Sequence, residues 1–231
     1  MTVNSVVDVQ GASARTSFDL SKEVCDRRVG LAARLEAIGR SRSELEAIAG
    51  RSYWHPNGFA KLVLDDDRDR GQLRLHVWPE RPDEDDPHGH AWHYRSVVVG
   101  GELTEITYTE RTGGAGLPMW RHSYGQVAHR RFTLTGAVPV RLVESGPPVE
   151  HRPGDASGGS PSHIHRFFAS VAPAVTMLRV GPVLAPSSIV YRTTPEPRQA
   201  LAPRPTSLAD VAQWVDHARR EAGALPNPTA A

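Results

Sequence analysis

Thiols are almost missing from this chain: Cys25 is the only cysteine. An internal disulfide is therefore excluded, and a reducing, cytoplasmic setting is the expectation. Lysine is nearly as scarce, at positions 22 and 61 alone beside 25 arginines. Neither sign of charge dominates, since the formal net charge is +1. Nothing in that balance pulls the chain toward nucleic acid or an anionic membrane. Aromatics make up 6% of the residues and form no basic aromatic patch. No apolar run is long enough to span a bilayer, and the N-terminus lacks the charged-then-apolar pattern of a signal peptide. A glycine-rich phosphate loop and a nucleophile elbow are also missing, so nucleotide hydrolysis and acyl transfer have no support. What the chain has in quantity is glycine (20) and proline (19), which fits many turns between short strands.

At 231 residues the chain can bury a sizeable core as one domain, with or without appendages. Phe18 to Ile38 reads as an amphipathic helix, with Val24, Val29, Leu31, Leu35 and Ile38 on one face and Gly39 as its stop. A second helix begins after Ser41 or Ser43 and ends at Gly50. From residue 59 the period changes to two. Strands are expected at Leu62–Leu64, Leu73–Trp78, Trp92–Val99, Glu102–Tyr108, Phe132–Leu134, Val138–Val143, Ile164–Phe168, Ala174–Val180 and Ile189–Tyr191, with Gly100-Gly101 as a turn. A Pro-rich stretch follows Thr193. Thr206 or Ser207 then caps a last helix, Leu208 to Ala222. This order predicts a mainly-β barrel or double sheet with helices packed outside. Residues 1–52 form a helical segment on the barrel, 53–193 the barrel itself, and 194–231 a linker and C-terminal helix.

The residues that carry chemistry are histidines. His88, His90 and His93 fall in the run Pro87-His88-Gly89-His90-Ala91-Trp92-His93, just before an apolar strand. Side chains alternate along a strand, so His88 and His90 point the same way and His93 points away. His163-Ile164-His165 supplies a second pair in a similar setting. Imidazoles at this spacing suit Fe, Zn, Cu or Ni better than Mg or Ca. Either member of the second pair can complete a three-histidine site. The other is then placed to orient a ligand from behind.

These segments resemble the cupin superfamily, whose first motif is HxH, three or four residues, Glu, six residues, Gly. His88, His90 and Gly100 match it, and Tyr94 stands where the Glu would be. Pro153-Gly154-Asp155 ahead of His163 and His165 is similar to the second motif. With the Glu replaced, the chain resembles the cysteine dioxygenase (thiol dioxygenase) branch over roughly residues 53 to 182. Phe59 to Val63, Leu73 to Trp78, Pro87 to His90, Val97 to Tyr108, His165-Arg166-Phe167 and Pro173 to Leu178 carry that likeness. The resemblance implies a cupin double-stranded β-helix (jelly-roll barrel) with two N-terminal helices and one C-terminal helix. It implies Fe(II) held by His88, His90 and His165, with Zn, Ni or Mn as alternatives. The activity implied is oxygenation of a small polar substrate by O₂, with thiol dioxygenation the leading reaction. Lys61 falls where that family binds the substrate carboxylate with an arginine. A homodimer is implied by analogy.

Other candidates come from strand parity. Tyr94 shares the parity of the ligands and is a candidate catalytic phenol, with His163 as its companion. Arg74 and His76 share a face with Trp78 and contact substrate if that face lines the interior. Leu73, Leu75 and Val77 are the more ordinary barrel filling and imply the reverse. Arg179 and Tyr191 are further substrate candidates. The alternatives to an oxygenase are a Zn, Ni or Mn isomerase, lyase or hydrolase, and a non-catalytic cupin that binds a small molecule.

Overall fold

The computed structural model describes residues 28–55, 57–67, 71–81, 86–128, 131–196 and 203–224. Residues 18–27 of the expected first helix, with Cys25, lie outside the described residues. So do residues 82–85 and, in the Pro-rich stretch, residues 197–202. Two helices come first, α1 (Arg28–Arg40) and α2 (Arg42–Arg51), and α3 (Leu208–Ala224) comes last. Between them run β1 (Tyr53–Trp54), β2 (Ala60–Asp67), β3 (Gly71–Trp78), β4 (His88–Gly89), β5 (Trp92–Arg111), β6 (Leu117–Ala128), β7 (Arg131–Glu144), β8 (Val149–His151), β9 (Ala156–Gly159), β10 (Ile164–Val183), β11 (Ser187–Arg192) and β12 (Arg204–Pro205). No helix among the described residues is long and apolar enough to cross a membrane.

The helix caps follow from local chemistry. Ser41, not Ser43, caps α2, its hydroxyl accepting the Glu44 N–H at 3.3 Å. At α3 the Ser207 hydroxyl accepts from the Asp210 N–H (3.0 Å) and the Asp210 carboxylate accepts from the Ser207 N–H (2.8 Å). This reciprocal pair satisfies two donors that the first turn would otherwise orphan.

Three pairs of expected strands are single long strands, with Phe132–Leu134 and Val138–Val143 joined in β7. Gly100-Gly101 is a bend inside the 20-residue β5, not a hairpin turn. Gly101 has φ +68°, and a Cβ there would meet the Pro173 carbonyl oxygen at 2.5 Å. Only glycine allows the two backbones that approach. Ile164–Phe168 and Ala174–Val180 are likewise one strand, β10, paired antiparallel with β5 from Ile164↔Tyr108 to Val183↔Trp92. Its register slips around Val171–Val175, where Pro173 has no N–H for the ladder. Bending together, β5 and β10 serve both layers of the sheet. Strand β6 escaped the sequence reading because Arg121, His122, Ser123 and Gln126 break its apolar alternation, and Gly136 and Pro139 hide the continuity of β7.

All pairings are antiparallel. They close a ring: β5 pairs β10, β10 pairs β4, β4 pairs β11, β11 pairs β6, β6 pairs β7, and β7 returns to β5. The architecture is a mainly-β barrel with two helices before it and one after it, as expected. Three of the four buried clusters show the strand parity. Leu62, Leu64, Leu75, Val77, Val97, Val99, Val175 and Met177 pack under the helices against Leu35, Ile48, Val211 and Val215. Each large aliphatic buried there contributes about 1.5–3 kcal/mol. Ile106, Tyr108, Val140, Leu142, Ile164 and Tyr191 fill the ring. Phe59, Trp78, Val98, Leu103, Ala169 and Ala174 lie between the layers. The expectation that Leu75 and Val77 fill the barrel is thus overturned. The amphipathic helices need an apolar sheet face to bury their own stripes, and β2 and β3 give theirs to them. The alternate residues, Arg74, His76 and Trp78, turn inward.

Candidate metal centre

His165 alternates with Ile164 on β10. Ile164 enters the ring, so His165 faces the space between the layers. β4 pairs with β10 there at His165↔His88, which brings His88 beside it, and His90 follows two residues on. One nitrogen from each of His88, His90 and His165 lies within 4.8 Å of the others. The ring centroids are 4.9 to 5.2 Å apart, and the planes meet at 64° to 87°. His90 Nε2 and His165 Nε2 are 3.1 Å apart. Two nitrogens bound at about 2.1 Å to one ion, at right angles, are separated by about 3.0 Å.

The tautomers follow from the partners. His88 Nδ1 donates to the Asp86 carbonyl at 3.0 Å, and His165 Nδ1 donates to Glu105 Oε1 at 3.0 Å. A carboxylate only accepts, so the His165 proton sits on Nδ1 and its Nε2 lone pair faces His90. Burial first, and then neighbouring histidines, hold His90 well below the usual imidazole range. Burial outweighs the backbone hydrogen bond and lowers His88. It also pushes His165 down to about 3 against the opposing pull of Glu105. Neutral imidazoles are the form a metal binds.

Glu105 anchors this arrangement from β5. His151 Nε2 donates to its Oε2, and His163 Nε2 to its Oε1, both at 2.9 Å. Burial alone would raise its pKa. The hydrogen bonds from His151, His163 and His165 outweigh that and hold it far below the usual carboxylate range. Glu105, His163 and His165 also qualify as a possible metal group, but N–H to carboxylate hydrogen bonds account for both of its histidine–Glu105 contacts.

The facing wall is cationic. Lys61 and His76 are register partners on β2 and β3, and Lys61 Nζ donates to the Tyr53 hydroxyl at 2.7 Å. Arg74 stacks over Trp92 at 5.4 Å, and Trp92 stacks on His90 at 5.6 Å. Burial brings Arg74 down to about 10, so it stays charged at neutral pH. His76 lies against Phe59 and Trp78. Burial, then the Lys61 and Arg74 charges, hold it well below the usual range.

The site thus brings together His88, His90, His165, His163, Tyr94, Lys61, Arg74 and His76. It leaves out two candidates. Arg179 pairs with Leu73 on the face that packs under the helices. Tyr191 is wholly buried in the ring, and its hydroxyl donates to Glu110 at 2.7 Å. Two roles also change. The Tyr94 hydroxyl lies 2.9 Å from His165 Nδ1, behind the ring, away from Nε2. His163 packs edge-on against the His165 ring at 4.8 Å, and its Nε2 donates to Glu105. Both are positioning groups in this geometry, not groups aimed at a reacting atom. His93 is exposed on the opposite face, as strand parity predicts. Glu105, His151, Asp86 and Trp92 were missed. Glu105 had a signal: it shares the parity of Leu103 in a largely apolar strand, and carboxylates there are rare unless paired.

No family model matches the chain, and no curated protein matches it. Among solved structures it is similar to hydroquinone 1,2-dioxygenase PnpCD in complex with Cd²⁺ and 4-hydroxybenzonitrile. Identity is 17% and the TM-score 0.35, over 60% of this chain and 72% of that one. It is similar to Drosophila melanogaster CENP-C bound to CAL1 at 11% and 0.33, over 69% and 99%. It is also similar to an oxalate oxidase at 12% and 0.30, over 77% and 76%. A dioxygenase and a protein described by its binding partner score alike, so likeness at this level carries no activity.

Proposed function

We propose that His88, His90 and His165 hold one divalent metal, Fe(II) foremost, and that the chain is a non-heme oxygenase of a small polar metabolite. Thiol dioxygenation is the most specific form of this reading. The observation that carries it is the convergence of three neutral imidazoles whose remote nitrogens are engaged at His88 and His165, with no carboxylate in the ligand set. Three protein ligands leave positions open, and a bound ion would supply Lewis acidity and a meeting place for substrate and O₂ there. Neutral donors leave the full charge of the ion in place, which favours an anionic donor such as a thiolate or enolate.

The chain's own residues do the rest. The Asp86 carbonyl and the Glu105 carboxylate fix the His88 and His165 tautomers and ring orientations. Lys61 and Arg74 set a positive field that draws in an anionic substrate. Phe59, Trp78 and Leu103 keep the space between the layers apolar, which strengthens each charge interaction inside it.

Three imidazoles are also the donor set of catalytic zinc, which favours a zinc, nickel or manganese isomerase, lyase or hydrolase as the second reading. Metal analysis of protein purified without added metal separates the two, paired with oxygen-electrode assays of Fe(II)-loaded protein on thiols, enols and amino acids. Iron with O₂ uptake supports the oxygenase. Tightly held zinc with no uptake supports the second reading. A retained metal with no turnover, but thermal stabilisation by one metabolite, marks a binding protein instead.

A further inference from the structure

The interior wall holds a guanidinium with no carboxylate in contact among the described residues. Arg74 is 7% exposed, and its Nε and Nη2 both donate to one neutral acceptor, Gln72 Oε1. No carboxylate among the described residues pairs with it. Asp66 makes no hydrogen bond or ion pair with it and acts on Arg74 only as an exposed charge at a distance, its carboxylate accepting from the Gln72 amide at 2.9 Å. Buried guanidinium groups are ordinarily paired with anions, because the charge is costly to remove from water. A second, independent deficit sits two residues along the same strand face. His76 Nε2 is buried and has no hydrogen-bond partner among the described residues. Buried polar atoms of this kind usually have one. Both groups face the interior that His88, His90 and His165 face, and Trp92 stacks on Arg74 and His90 alike.

Lys61 is a separate cation. It sits on β2 opposite His76, while Val63 sits opposite Arg74. Lys61 and Arg74 are therefore diagonal neighbours on one sheet face, roughly 7–8 Å apart along the backbone. A single carboxylate on Lys61 would leave Arg74 and His76 as they are.

We infer that Arg74 and His76 form an anion subsite distinct from Lys61, so that the ligand of this interior is a small dianion. A dicarboxylate, or a carboxylate bearing a phosphate or sulfonate, has that chemistry. The inference rests on the interior being the ligand site, as in the proposed function. One negative group meets Lys61, the second meets the Arg74 guanidinium, and His76 Nε2 hydrogen-bonds to the second group or to the link between them.

Calorimetric titration with malonate, succinate and glutarate, each against its monoacid (propionate, butyrate, pentanoate), tests it on metal-free and Co(II)-loaded protein. At least one diacid binds the wild type roughly tenfold or more tightly than its monoacid. Arg74→Met brings that ratio close to one and leaves Co(II) binding intact. Arg74→Gln, which keeps a polar group against Gln72, does the same and serves if the Met variant fails to fold. The inference is overturned if no diacid outbinds its monoacid, or if either folded Arg74 variant keeps the wild-type ratio. A wild type that binds no Co(II) refutes the metal reading alone, because the diacid preference is still read in the metal-free protein.

Discussion

Ile164 and His165 are neighbours on one strand and belong to different chemistries. Ile164 enters a ring packed with Ile106, Tyr108, Val140, Leu142 and Tyr191. His165 faces Glu105, His90, Tyr94 and a wall bearing Lys61, Arg74 and His76. In the ring the Tyr191 hydroxyl and Arg121 Nη1 both donate to Glu110, and the one orphan of that pair is Arg121 Nε, which has no hydrogen-bond partner among the described residues. On the other face two imidazole nitrogens meet head to head, and a guanidinium has no carboxylate in contact among the described residues. The same backbone supports both, so the contrast lies in side-chain alternation alone. The closed region is built for stability, and the other keeps donors and charges that a ligand would complete.

The largest effect that tests this contrast is on His165 itself. His165→Ala abolishes stoichiometric Co(II) binding, followed by its visible absorption. Ile164→Ala lowers stability by about 2–5 kcal/mol in denaturant unfolding and leaves the metal stoichiometry unchanged. If Ile164→Ala loses the metal as His165→Ala does, the two faces are not separable. Next comes the support behind the ligand. Glu105→Gln weakens metal affinity by about 10- to 100-fold, because an amide can turn a donor toward His165 Nδ1 and release the tautomer. Unchanged affinity in a competition titration with a chelator would show that Glu105 orients nothing.

A pH series sharpens the comparison. Burial first, and then the charge of Lys61, hold His55 and His76 well below the usual imidazole value of 6.5. In the folded state both resist protonation, whereas in the unfolded chain they accept protons near pH 6.5. Unfolded chains thus gain protons that folded ones refuse. Stability is full above about pH 6.5 and falls as the pH drops through and below it. The melting temperature of metal-free protein should decline from pH 7.5 to 5, and His76→Phe should flatten part of that decline. A flat or rising profile in the wild type contradicts the burial of neutral histidines. The smallest effect belongs to the ring: Tyr191→Phe removes one hydrogen bond to Glu110, costs about 1 kcal/mol, and leaves metal and anion binding alone.

Much of this contrast was legible in the order of residues. The HxH pair and His165 stand out because imidazoles are rare in a strand's inward register, and the Gly-Gly bend and Pro173 mark where β5 and β10 turn. Three things were not legible. Whether Arg74 and His76 face inward depends on which sheet face the helices cover, a tertiary fact that alternation alone leaves two-valued. The role of Tyr94 depends on which nitrogen of His165 it meets, and that of His163 on its bond to Glu105, which no spacing encodes. Glu105 approaches His151, His163 and His165 across strand pairings that are long in sequence and short in space. Arg179 failed as a candidate for the same reason as Arg74 succeeded: its parity puts it with Leu73, on the side the helices close.

The claim on which the rest depends is that three imidazoles from two distant segments share one ion through Nε2. Metal titration of the wild type beside His88→Ala, His90→Ala, His165→Ala and His163→Ala tests it most directly. One equivalent per wild-type chain, lost in each of the first three variants and retained in His163→Ala with weakened affinity, is the predicted result. Stoichiometric binding that survives His165→Ala, or that disappears only with His163→Ala, would contradict it.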